Sequence, residues 1–328
     1  MSVRLAVLGL LAFLARVLTA AAASAQAPPA PPLAIGILLS GTSDRASIDV
    51  LLKALSERGY LEGRNIRVHE RFARNQVDQL PVLAAELESL DVKLIVTTGT
   101  TAMRSILEVT NRVSIVMAGA GDPVATGVAG SLSHPGGRAT GLSIMGEEMI
   151  GKRLALLREI LPEARLFAGL FNPANPGNTV WKRAMETAAR SLGVGFRSFD
   201  VETVDQLGPM FEQIAALKPD GLVLIEDPLF HSHPSRVAEL ALEYRLPTVV
   251  GDIANARAGA LVAYAVDRAD LWRRAAFYVD RILRGVPTGE LPIEQPTRFN
   301  LVLNLKTANS LGLTLPATLL ARADEVIE

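Results

Sequence analysis

Short apolar runs separated by longer stretches with helical spacing recur from Leu33 to Val250, and this alternation limits more than any other feature what the chain can fold into. The runs are Leu33 to Leu39, Leu94 to Thr97, Val113 to Ala118, Leu166 to Phe171, Gly221 to Ile225 and Thr248 to Val250. Each is rich in Val, Ile and Leu without a polar alternation, which suits a strand covered on both faces. Between the first two, Asp44 to Arg58 sets Ile48, Leu51, Leu52 and Leu55 on one side and meets Gly59, a residue suited to a left-handed helix end. Residues 77 to 90, 147 to 160, 179 to 192, 204 to 217 and 234 to 244 follow the same spacing. Strands that alternate with helices form a parallel sheet through crossovers, so the predicted class is α/β and doubly wound.

Two such series lie on either side of Ala139-Thr140-Gly141-Leu142-Ser143, a stretch of small residues that reads as a crossing between two lobes. A second crossing is expected at Ala263-Tyr264-Ala265-Val266, before a helix from Arg268 to Arg284. The expected division is therefore an N-terminal α/β lobe over 33–142, a C-terminal α/β lobe over 143–264, and a segment over 265–328 that crosses back and packs on both. Hinges near Ser143 and Tyr264 would leave a cleft between the lobes.

Ahead of this lie a short positive start, Met1 to Arg4, an uncharged apolar run, Leu5 to Ala15, and Ala23-Ser24-Ala25. That is the pattern of a secretory signal peptide over 1–25 with cleavage before Gln26, and the apolar run is too short to cross a bilayer. The proline-rich residues 26–32 read as an extended spacer. With no cysteine there is no acceptor for a lipoprotein anchor and no disulfide framework, so a free periplasmic monomer is expected. Its 33 Lys and Arg are scattered among 34 Asp and Glu, which argues against a nucleic-acid partner.

In open α/β sheets ligands bind beyond the carboxyl ends of the strands. The residues there are Ser40-Gly41-Thr42-Ser43-Asp44, Thr98-Gly99-Thr100-Thr101, Gly119-Ala120-Gly121-Asp122, Asn172 to Asn178, Asp227-Pro228 and Gly251-Asp252, with Arg45 as the one nearby cation. Such residues also cap helices and make turns, but all the loops of one edge are of this kind. Thr98 to Thr101 best fits an anion, since Gly99 admits a ligand to the backbone at a helix start. Phosphate-loop, dinucleotide, nucleophile-elbow and zinc-protease motifs are all missing, so neither a cofactor nor catalysis is expected. His231-Ser232-His233 is a pair without a third metal ligand.

Several segments together resemble a family of ABC-transporter substrate-binding proteins that includes tryptophan and tyrosine receptors. They are Gly59 to Ile66, Gly121-Asp122-Pro123-Val124, Pro135-Gly136-Gly137 with Thr140-Gly141-Leu142, Gly151-Lys152-Arg153-Leu154, Asn172 to Gly177, Asp227 to Phe230 and the tail from Leu291 to Glu328. The resemblance implies a type I periplasmic-binding fold of two Rossmann-like lobes and an ABC permease in the inner membrane as partner. It also implies a small-molecule cleft lined by Ser40, Thr98, Thr100, Thr101, Asp122, Asn172, Asn175, Asp227 and Tyr264. The expected ligand is a small zwitterion, an amino acid and first of all an aromatic one, with its carboxylate at Thr98 to Thr101 and its ammonium at Asp227 or Asp122. A dianion would want clustered Arg or Lys, and a sugar several stacking rings. A ligand sensor docking on a membrane signalling protein and an exported α/β hydrolase are the competing readings. A two-lobed repressor would need an N-terminal DNA-binding unit where the leader stands.

Overall fold

The computed structural model describes residues 31–144, 146–175 and 177–328. The leader expected over 1–25, and the spacer up to residue 30, lie outside the described residues.

Strands β1 (Leu33–Leu39), β2 (Ile66–Phe72), β3 (Leu94–Thr97), β4 (Ser114–Ala120) and β5 (Ala139–Ser143) form a parallel sheet in the order β2-β1-β3-β4-β5. β6 (Leu166–Phe171), β7 (Gly195–Asp200), β8 (Gly221–Leu224), β9 (Thr248–Val250) and β10 (Val262–Val266) repeat that order as β7-β6-β8-β9-β10. β11 (Phe299–Asn304) joins this second sheet antiparallel to β10, and β12 (Glu325–Ile327) pairs parallel to β11. Each sheet reverses its strand order between its first and third strands, and such a switch point opens a crevice at the carboxyl ends.

The apolar runs are explained by burial on both faces. Along β1, Ile35, Ile37 and Leu39 pack with Ile48, Leu51 and Leu55 of α1 (Arg45–Ser56), whereas Leu38 points to the opposite core with Leu80, Ala84 and Leu87 of α2 (Leu80–Ser89). Each buried Ile or Leu side chain contributes roughly 1.5–3 kcal/mol relative to exposure.

The two stretches expected as crossings are strands. Gly141 has φ 126°, and a Cβ there would collide with the Met117 carbonyl oxygen, so β5 needs a residue without a side chain to lie against β4. Ala263 and Ala265 are buried in β10 between β9 and β11. The chain passes between the sheets beyond these strands, and does so three times. After Ser143 it enters α3 (Gly146–Ile160), which packs on β8, β9 and β10; after Val266 it enters α4 (Arg268–Leu283), which packs on α1, β4 and β5; after the Leu142–Glu294 bridge it returns to β11. Residues 268–294 thus lie with the first sheet and 299–327 with the second.

Candidate ligand cleft

β1 delivers Ser40 and β3 delivers Thr98 to the switch point of the first sheet. Helix α5 (Thr100–Val109) follows, with Gly99 at its N-cap in a backbone conformation (φ 75°, ψ 155°) that glycine adopts without strain, and no side chain caps it. The first amides of a helix have no partner within it, and here they open into the cleft together with the positive end of the helix dipole. Thr100 Oγ1 and Ser40 Oγ, both on buried residues, have no hydrogen-bond partner among the described residues.

Across the cleft, β6 leads to Asn172 and β8 to Glu226 and Asp227. Asp227 is 4% exposed and caps a short helix through the Leu229 amide, 3.0 Å from Oδ1. Asn172 Nδ2 also donates to Oδ1 at 3.0 Å, and Asn175 Nδ2 donates to Oδ2 at 2.9 Å. Each asparagine is locked in orientation, because Asn172 Oδ1 accepts the Ala174 amide and Asn175 Oδ1 the Gly177 amide. Burial raises the Asp227 carboxyl above its ordinary range, outweighing these three hydrogen bonds.

Four carboxylates line the same cavity as Ser40 and Thr100: Asp44, Glu226, Asp227 and Asp252. Asp44 accepts from Arg268 Nη2 at 3.1 Å. Glu226 is held by the guanidinium of Arg153, which is wholly buried and also donates from Nε to the Tyr264 carbonyl at 2.9 Å. Asp252 Oδ2 lies 2.8 Å from His231 Nδ1. Burial would raise the Asp252 carboxyl, but hydrogen bonding and charge from His231, the charge of Arg268 and the Ala254 amide bring it down to about 2. Among the described residues, Asp227 is therefore the one lining carboxylate held by neutral donors alone.

The cavity measures about 180 Å³. That is below the roughly 300–1,000 Å³ of drug-sized sites, and suits one small solute. Its apolar wall includes Ile144, Trp181, Ile225, Phe230, Val266 and Leu271. The two sides touch here: a Cβ on Gly121 would stand 2.9 Å from Trp181 Cζ2 across the cleft, and Ser232 Oγ lies 3.5 Å from Asn75 Oδ1.

Of the residues expected at the site, Ser40, Thr98, Thr100, Thr101, Asn175 and Asp227 line the cavity. Asn172 stands behind it, holding Asp227. Asp122 and Tyr264 do not line it. The Asp122 carboxylate is turned to the amides of Val124 and Ala125, both at 2.9 Å, and Tyr264 projects from the middle of β10 to stack on Phe299. Arg45 pairs with Asp49 and Glu70, and among the described residues the Arg or Lys that reaches the cavity is Arg268. Nothing in the sequence marks Glu226, Asp252 and His231 as a set, because their pairing to Arg153, Arg268 and each other joins distant parts of the chain. His231-Ser232-His233 divides its imidazoles, His231 to Asp252 and His233 to the Leu229 carbonyl. Among the described residues no group of three or more His, Cys, Asp or Glu is placed to hold a metal.

The family model for ABC transporter substrate binding proteins matches residues 32–327. The chain belongs to this family. The substrate-binding protein is 23% identical over 262 residues to a tyrosine-binding protein of Clostridioides difficile (strain R20291), covering 80% of this chain and 75% of that one. Its fold matches a conserved domain protein of Vibrio cholerae with a TM-score of 0.86 at 22% identity, over 90% of this chain and 100% of the other. It also matches an ABC domain from Streptococcus pneumonia in complex with L-Trp, with a TM-score of 0.82 at 20% identity and the same coverages. The substrate-binding protein thus has the two-sheet α/β architecture of type I periplasmic-binding proteins. Among the described residues no helix is long and apolar enough to cross a membrane.

Proposed function

We propose that this substrate-binding protein captures a single α-amino acid, with an apolar or aromatic side chain, and hands it to an ABC permease in the inner membrane. The observation that carries the reading is the isolation of Asp227. A buried carboxylate without a cation is costly, and a ligand ammonium supplies the missing charge. Facing it, the uncapped start of α5 with Thr100 Oγ1 and Ser40 Oγ offers donors to a carboxylate. Trp181 and Phe230 offer apolar surface to the side chain between.

The names of the relatives support the same class, since one is a tyrosine-binding protein and another was solved with L-Trp. On this reading the lobes are 33–142 and 143–264, the rest of the chain is shared between them, and closure occurs about the three crossings. Ligand drives closure by its differential affinity for the closed state. Residues 1–25 then serve as a cleaved leader, and the protein works in the periplasm.

Calorimetry of the chain from Gln26 against amino acids, their analogues lacking the amine, neutral sugars and dicarboxylates tests the proposal. One amino acid should bind at one equivalent and its deaminated analogue far more weakly. Tight binding of a neutral sugar, unchanged in Asp227→Ala, would remove the basis for a zwitterion site.

A further inference from the structure

Several segments singled out in the sequence gather away from the cleft. Lys152 of α3, Tyr264 of β10, Thr297 and Arg298 of the third crossing, Phe299 of β11 and Arg322 of the tail line a separate groove of about 780 Å³. This is within the roughly 300–1,000 Å³ of small-molecule sites. The Tyr264 and Phe299 rings stack with centroids 5.9 Å apart and planes 19° from parallel, and Lys152 Nζ lies 5.9 and 5.2 Å from the two centroids. A cation held over a paired aromatic surface presents charge and a flat apolar face side by side.

The acids of the groove are already engaged. Glu159 pairs with Arg322 at 2.7 Å, Asp324 Oδ2 accepts the Leu301 amide at 2.7 Å, and Asp267 Oδ1 accepts the Asp270 amide at 3.0 Å. Among the described residues neither Lys152 nor Arg298 has a carboxylate within ion-pair distance, and both side chains are exposed at the rim. Arg153 separates the groove from the cleft, with its guanidinium on Glu226 and its Nε on the backbone of Tyr264.

We propose that this groove is a second ligand site, for a planar aromatic monoanion whose ring lies on the Tyr264–Phe299 surface and whose carboxylate meets Lys152 and Arg298. It goes beyond amino-acid capture, and the residues that build it are not those of the cleft.

The probe is 1-naphthoate, titrated by calorimetry into the chain from Gln26, with thermal melts to verify that each variant folds. Wild type should bind one equivalent. Losing two charge-assisted contacts in Lys152→Ala with Arg298→Ala should weaken it by about tenfold or more. The proposal is overturned if wild type does not bind naphthoate or if the folded double variant binds it equally well. Amino-acid binding measured on the same proteins is a separate reading, so failure of either site is told apart from failure of the other.

Discussion

Replacing Asp227 by asparagine keeps the shape of the cleft wall and a good helix cap while removing its one uncompensated negative charge. A hydrogen bond to a charged group is worth about 1.5–3 kcal/mol, so affinity for an amino acid should fall by about tenfold to 150-fold. The cost to the fold is separable. Both oxygens of Asp227 accept from amide donors whose orientations are locked by the Ala174 and Gly177 backbones, so the Nδ2 of the introduced asparagine faces another donor. One unsatisfied buried donor costs about 1–3 kcal/mol, offset in part because burial already disfavours the carboxylate. The decisive assay is a cycle: wild type and Asp227→Asn, each titrated with the tightest amino acid and with its analogue lacking the amine. The substitution should weaken the amino acid and leave the analogue unchanged. Equal losses for both would mean that Asp227 acts through the fold, and the reasoning would fail. The pH dependence gives a second check. A raised carboxyl contributes stability that is fully present below its ordinary 3.8 and lost as pH rises through the raised value. An ammonium ligand favours the ionised form, so its affinity should grow with pH over that same window.

Gly121→Val places a side chain against Trp181 of the facing side and against Thr100 Oγ1 of its own, so ligand affinity should drop, with some loss of melting temperature in the empty protein, and scattering should show less compaction with ligand than in wild type. Asp252 runs opposite in sign to Asp227: its carboxyl is lowered to about 2, so its stabilisation is present above 3.8 and lost as pH falls toward 2, and Asp252→Asn should flatten the acid limb of a melting-temperature profile. N-terminal sequencing of exported protein should begin at Gln26, and intact Met1 in a membrane fraction would contradict the proposed leader.

Burial on both faces makes the interior strands legible. Leu33–Leu39, Leu94–Thr97 and Thr248–Val250 are apolar because no face meets water. β2 (IRVHERF) and β7 (GFRSFD) lie at sheet edges, half-exposed and charged, so no apolar run marks them. β5 and β10 are hidden for another reason: their Gly and Ala make room for close neighbours, and the same residues look like a linker. At the site, loop residues after strands can be found from strand order alone. Arg153 and Trp181 cannot, because they sit inside helices, where an arginine reads as solvated surface and a tryptophan as core. Asp122 and Tyr264 show the converse, since both occupy the right segment with the side chain turned elsewhere.

The placement of α4 governs how such a chain can be assembled. Leu271, Trp272, Ala275 and Ala276 of this helix complete the packing over β4 and α1, although more than 120 residues separate them from β5, and β11 adds to β10 only after that detour. Neither sheet is therefore finished by the stretch of chain that starts it. A fragment ending at Ser143 would leave an apolar face bare, and a ribosome or a translocation channel must release nearly the whole polypeptide before either half can close its core. Contacts of such long sequence separation slow folding. For a chain exported as proposed above, and so threaded across a membrane before it folds, that delay is an advantage built into its topology.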